Sequence, residues 1–172
     1  MTGVGGHRVG APCAALILAA CLLALAIWPV AAPARTSKAV RRAEARIRAC
    51  ANRERRAHGL TPVRASRALN LAAHLHADDM ARYAFFDHVD PWGRSPGDRI
   101  HLFSSRPWSW GENISAGYPS VRAACRGWMH SAGHRANILD PRFKWVGGGF
   151  ARSGRAFYPT YFVMDLGTPL GP

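Results

Sequence analysis

The chain changes hydrophobic period part-way along its length, and that change excludes most small folds. Early on, apolar residues recur at helical spacing: Val40, Ala43, Ile47 and Cys50 share one face, and Leu69, Ala72, Ala73, His76 and Met80 form a second stripe. Near the end, KWVGGGFAR and AFYPTYFVMDLG are aromatic and β-branched, and they flank the turn SGR as the arms of an antiparallel hairpin would. A helical bundle has no place for the second pattern, and a β-sandwich has none for the first. The chain is therefore expected to be α+β, a three-layer α-β-α sandwich with helices covering both faces of a small, largely antiparallel sheet.

The spacing predicts helices over 38–58 and 66–83, the first closed by Gly59 with Pro62 just beyond. The segment FFDHVDPWGRSPGDRI is too dense in Gly, Pro and Asp for either period, so a loop leads into a short helix over 96–102. Extended backbone is expected through GENISAG from Gly111, then a helix over 121–130 behind Ser120. A further short helix around SAGHRANIL would take Ser131 as its N-cap and stop at Pro141.

Ahead of these elements lies an export signal: a polar start with Arg8, an apolar stretch from Ala11 to Val30, and the small-x-small pattern Ala32-Pro33-Ala34. Residues 1–34 are read as a signal peptide, 35–45 as a basic start to the first helix, and 46–168 as the folded domain. Two anchored alternatives place the protein at the outer face of a membrane: an uncleaved leader long enough to span, or a lipidated Cys21 within LAAC. Cleavage would leave 138 of the 172 residues, enough for one domain with a substantial core. It would also remove Arg8 and take the formal charge from +13 to +12. Outside a cell the accessible polyanions are envelope polymers and anionic lipids. The expected partner is thus an anionic cell-surface or cell-wall component, or a lipid, met by a monomer with no specific nucleic-acid recognition. A solvated basic surface without a partner is the plainer alternative.

Two of the four cysteines belong to the leader, which leaves Cys50 and Cys125. Both occupy core-facing positions, the latter beside Val121, Ala124 and Trp128. In an exported chain such a pair invites a disulfide, although two buried thiols satisfy the same pattern. A bridge would close a loop of roughly 75 residues and contribute about 4 to 5 kcal/mol on the chain-entropy account.

Four segments stand out together: NRERRAHGL at 52–60, the loop around His88, GENI at 111–114 and WMHSAGHRANIL around His134. In this order and spacing they resemble the CAP superfamily over about residues 46–167. That group comprises the cysteine-rich secretory, antigen 5 and pathogenesis-related proteins and their bacterial SCP-like relatives. The resemblance implies an α-β-α sandwich with a cleft lined by two histidines and two acids. His88 and His134 match the histidines and Glu112 the acid of the GEN motif, with Asn113 beside it. The second acid, usually a glutamate three residues after a tryptophan, falls on Ser131 after Trp128. Asp98, Arg99, Arg135 and Asn137 also match.

Two imidazoles and a carboxylate suit zinc or another divalent metal, and three protein ligands with one open position mark a reactive site. These three come from separate segments without compact spacing, and losing the second acid to Ser131 reduces the negative charge. Acid-base chemistry is a second option, with Glu112 orienting a histidine that titrates near neutrality. Proteolysis also needs a nucleophile, but Ser131 lacks a G-x-S-x-G elbow and both cysteines face the core.

The resulting expectation is a ligand-binding cleft of His88, Glu112, His134, Ser131 and Asn113, with no assigned catalytic residue, taking a lipid, a wall polymer or a metal ion. A metal-assisted, peptidase-like hydrolase is the alternative, and a mutual hydrogen-bond network that merely holds loops is the structural one. His76 reads as a packing residue. Trp92, Trp108 and Trp110 border a groove or cover the core. Asp87 and Asp90 fit no EF-hand pattern.

Overall fold

Four helices begin on a serine whose hydroxyl accepts the backbone N–H three residues on, as an N-cap requires. These are Ser37 before α1 (Lys38–Ala57), Ser66 before α2 (Arg67–Tyr83), Ser95 before α3 (Pro96–His101) and Ser120 before α4 (Val121–His130). The expected helices are all present, within one residue of their predicted ends. The coordinates come from a computed structural model that describes residues 37–170 apart from residue 107. The leader over 1–34 and the Cys21 alternative lie outside the described residues.

Helix α1 closes on Gly59, at φ +70°, with the Leu60 N–H reaching the Arg55 carbonyl and the Gly59 N–H the Arg56 carbonyl. The last helix, α5 (Ala132–Leu139), differs from expectation at its start. Ser131 occupies the N-cap position and also ends α4 through its N–H to the Trp128 carbonyl, but its hydroxyl makes no capping bond.

The strands β1 (Arg64–Ala65), β2 (Trp108–Ala116), β3 (Trp145–Arg152) and β4 (Thr160–Pro169) form one sheet in the order β1-β3-β4-β2. Only β1 runs parallel to its neighbour. With two residues it is too short to carry a periodic signal. Strand β2 starts three residues before Gly111, since Trp108 to Trp110 continue the ladder opposite Pro169 to Gly167. The hairpin connection is longer than SGR: residues 153–159 stay outside the ladder, and β4 starts at Thr160, behind Pro159, which has no N–H to donate.

Alternation along β4 divides the core. Phe162, Met164 and Leu166 pack with Ile47, Cys50, Ala124, Cys125, Trp128 and Ile138 of α1, α4 and α5. Tyr161 and Val163 face Ala73, Ala77 and Met80 of α2. Helices thus cover both faces of the sheet, as the change of period predicted.

Three consecutive glycines in β3 set how closely the layers approach. A Cβ on Gly147 or Gly149 would collide with the α2 backbone at Leu69 or Ala73, while one on Gly148 would lie 3.1 Å from Ile47 and Glu44 of α1. A disulfide between Cys50 and Cys125 ties α1 to α4. Arg55, fully buried, donates to the carbonyls of Thr61, Ile138, Asp140 and Phe143, replacing water for the turn after α1 and for the end of α5 and the stretch that follows it. Among the described residues no helix is long and apolar enough to cross a membrane.

Candidate functional site

Strand β2 is an edge strand, so groups from the two helical layers can meet past it. Its GENI segment alternates faces. Glu112 and Ile114 point to the α2 side, whereas Gly111 and Asn113 point toward α5. A Cβ at Gly111 would lie 2.8 Å from Asn137 Oδ1, so only glycine lets α5 come this close. Asn137 Nδ2 donates to the Glu112 carbonyl at 3.2 Å and to Asn113 Oδ1 at 2.9 Å, and Asn113 Nδ2 donates to the His134 carbonyl at 3.0 Å. Asn113 is fully buried. Its side chain holds the backbone of His134.

Glu112 is the centre of the network, its side chain 1% exposed. Its Oε1 accepts from His88 Nδ1 at 2.7 Å and its Oε2 from Arg99 Nη2 at 2.7 Å. Burial alone would raise the Glu112 pKa, but the His88 hydrogen bond and the charges around it, Arg99 among them, outweigh burial and hold it below the usual glutamate value. Arg99, also buried, donates to the carbonyls of His88 and Arg94, so the guanidinium fixes the loop as well as the carboxylate. Asp98 serves elsewhere, closing a capping box with Ser95, and Arg135 is exposed on α5.

The hydrogen bond to Glu112 raises the His88 pKa above 6.5. His134 moves the other way, lowered by burial and then by the charge of His88. The two imidazoles are therefore unequal near neutral pH, His88 holding a proton more readily while His134 presents a lone pair. His76 is fully buried, and its Nε2 donates to the Asp87 carbonyl at 2.9 Å, 3.9 Å from Glu112 Oε1. Burial drives its pKa down to about 4, so it packs as a neutral ring. Asp165 lies opposite Glu112 in the β2–β4 register, fully buried, and burial followed by the Glu112 charge pushes its pKa well above the usual value. Its neutral form is favoured beneath the network.

The sequence missed Asp165 and the cleft's aromatic walls. A polar residue inside the apolar run FVMDL was the available signal for the first. His88 and His134 line a cavity of about 270 Å³ with Phe86, Asp87 and Ile114. A second hollow of about 280 Å³ shares Phe86, Ile114 and His134 with it and extends past Tyr118, Trp128, Tyr158 and Ser131. The exposed Trp92 and Trp110 line neither hollow. Trp92 packs edge-on against Tyr83, and Trp110 covers Gly97. Trp108 bonds Ser104. Asp87 and Asp90 use their carboxylates on loop N–H groups, and Asp90 also pairs with Arg94.

Residues 49–166 match the profile of CAP, the cysteine-rich secretory protein family. The chain belongs to this CAP family. It is 37% identical over 103 residues to YkwD of Bacillus subtilis, an alignment covering 60% of this chain and 40% of that protein. A Bacillus anthracis extracellular protein containing a SCP domain superposes with a TM-score of 0.65 at 26% identity, over 74% of this chain and 40% of that one. An outer surface protein of Borrelia burgdorferi shares the fold at 17% identity and a TM-score of 0.65, over 72% of this chain and 90% of that one. The CAP domain here spans less than half the length of the two Bacillus proteins.

A three-ligand metal site does not fit this CAP domain. Both Glu112 oxygens are committed to His88 and Arg99, and among the described residues no three His, Cys, Asp or Glu side chains converge as a ligand group. Glu112 instead has the place of a carboxylate that orients a histidine from behind.

Proposed function

We propose that the chain is an exported CAP-domain protein whose cleft beside β2 binds an envelope-derived ligand, a lipid or a wall fragment, without turning it over. The inequality of His88 and His134 carries the proposal. One ring offers a proton and the other a lone pair, at the mouth of a hollow with aromatic walls. Such a mouth suits hydrogen-bonded hydroxyl or amide groups with an apolar part lying along Phe86 and Tyr158.

Turnover is less well supported. The carboxylate that would act as base is buried against an arginine, and the Ser131 hydroxyl bonds neither histidine among the described residues. A divalent ion such as zinc would find two imidazoles at the cavity, with Glu112 already committed to His88 and Arg99. Export is supported by the leader pattern, by the disulfide, a bond of oxidising compartments, and by the extracellular Bacillus anthracis relative.

The test is native mass spectrometry of protein recovered from the medium of an expressing host and exposed to envelope extract. The expected species starts at Arg35, carries the Cys50–Cys125 bond, and holds an extract component that His88→Ala and His134→Ala lose. A retained leader or an acylated Cys21 contradicts cleavage and free release. Hydrolysis of peptides or wall fragments, lost in both histidine variants and kept in Ser131→Ala, overturns the binding role in favour of a metal-assisted hydrolase.

A further inference from the structure

A second groove lies away from the histidines, between α1 and α4. One hollow of about 240 Å³ has Phe150, Phe162 and Ala43 in its floor and Arg42, Arg46 and Arg152 around it. Another of about 380 Å³ shares Arg46, Ser120 and Val121 with the first and continues past Cys50 to Arg53 and Arg122. None of the residues lining either hollow is acidic. Arg42, Arg46 and Arg53 are separated by four and seven residues, so they stand in one row along α1. At about 1.5 Å per helical residue that row is roughly 16 Å long.

Arg42, Arg46, Arg122 and Arg152 are exposed. Among the described residues none of the four has an acidic partner, whereas Arg53, at the far end, pairs with Glu54 at 2.7 Å. The N-terminus of α4, capped by Ser120, opens on the same groove and adds its partial positive charge.

We propose that this groove holds a linear polyanion, a chain bearing one phosphate or carboxylate per repeat. The inference rests on the reading that the partner is an anionic envelope component, and it assigns the surface that component uses. Length decides against a small anion, because one phosphate reaches one or two guanidinium groups and leaves the rest of the row unused. The floor decides against single-stranded nucleic acid. Phe150 stacks on Phe162 at 5.1 Å, the Arg152 guanidinium lies 5.6 Å from the Phe150 ring, and Phe162 is buried, so the floor offers no open aromatic platform for a base.

The experiment measures binding of long-chain inorganic polyphosphate to the protein recovered from an expressing host, across a salt series. Two triple variants are compared: R42Q/R46Q/R152Q in the groove, and R64Q/R67Q/R82Q, which removes the same charge from exposed positions on β1 and α2. The groove triple is expected to weaken binding at least tenfold and to flatten the salt slope by about two, from three lost contacts on a single-stranded polyanion. The other triple should stay within about threefold of wild type, as loss of long-range attraction alone would give. Pyrophosphate at equal phosphate concentration should bind far more weakly than the polymer.

Equal losses in both triples overturn the groove assignment while leaving an anionic partner in place. No binding by the wild type overturns the anionic partner itself. Tighter binding of oligothymidylate or of phosphatidylglycerol vesicles than of polyphosphate replaces the polymer with a nucleic acid or a membrane surface.

Discussion

His76 and His88 approach the same carboxylate and respond to acid in opposite ways. Burial holds His76 neutral down to about pH 4, whereas the unfolded chain protonates it near 6.5. The unfolded state therefore takes up the extra proton, and stability falls as pH drops from about 6.5 toward 4. His88 has its pKa raised by Glu112, so its contribution is complete below 6.5 and is lost as pH rises through the folded value. His76→Gln keeps a donor for the Asp87 carbonyl and removes the titration. The variant should lose about 3 kcal/mol less stability than wild type between pH 6.5 and 4. Urea unfolding at both pH values checks this, and parallel losses in the two proteins would remove His76 as the cause.

Among the elements, β3 is the most constrained by contact. A Cβ on Gly147 or Gly149 would overlap α2 backbone, which cannot rotate away, whereas one on Gly148 would lie 3.1 Å from the Glu44 Cα and the Ile47 side chain, a gap a small shift can relieve, and one on Gly154 would meet nothing within 4 Å. Alanine at 147 or 149 should cost about 3 kcal/mol or more, with Gly148→Ala less damaging and Gly154→Ala within about 0.5 kcal/mol of wild type. Urea midpoints of the four variants test that order. A uniform small effect would show that α2 can lift off the sheet. The helices and the hairpin were legible because their periods and caps are local. The triplet's role was not, since only packing against α1 and α2 separates this use of glycine from a turn. The length of β2 was hidden for a related reason: Trp108 to Trp110 join a ladder whose partners lie about 60 residues later.

At the scale of the whole molecule, an edge strand gathers residues from α5, from the loop after α2, and from β4 around one carboxylate. The motifs made His88, Glu112 and His134 legible. They do not separate face from support: Asn113 holds the His134 backbone, and Asp165 lies within an apolar strand that carries no motif. Both distinctions arise from register and layer, which no short window of sequence contains. The binding reading depends on Glu112 acting as scaffold for an unequal pair of histidines. The direct measurement is NMR titration of the histidine rings in wild type and Glu112→Gln. His88 is expected above 6.5 and His134 below it in wild type, with His88 falling in the variant as its charged partner is lost. Two histidines titrating together, or a His88 value unmoved by Glu112→Gln, would contradict the binding reading.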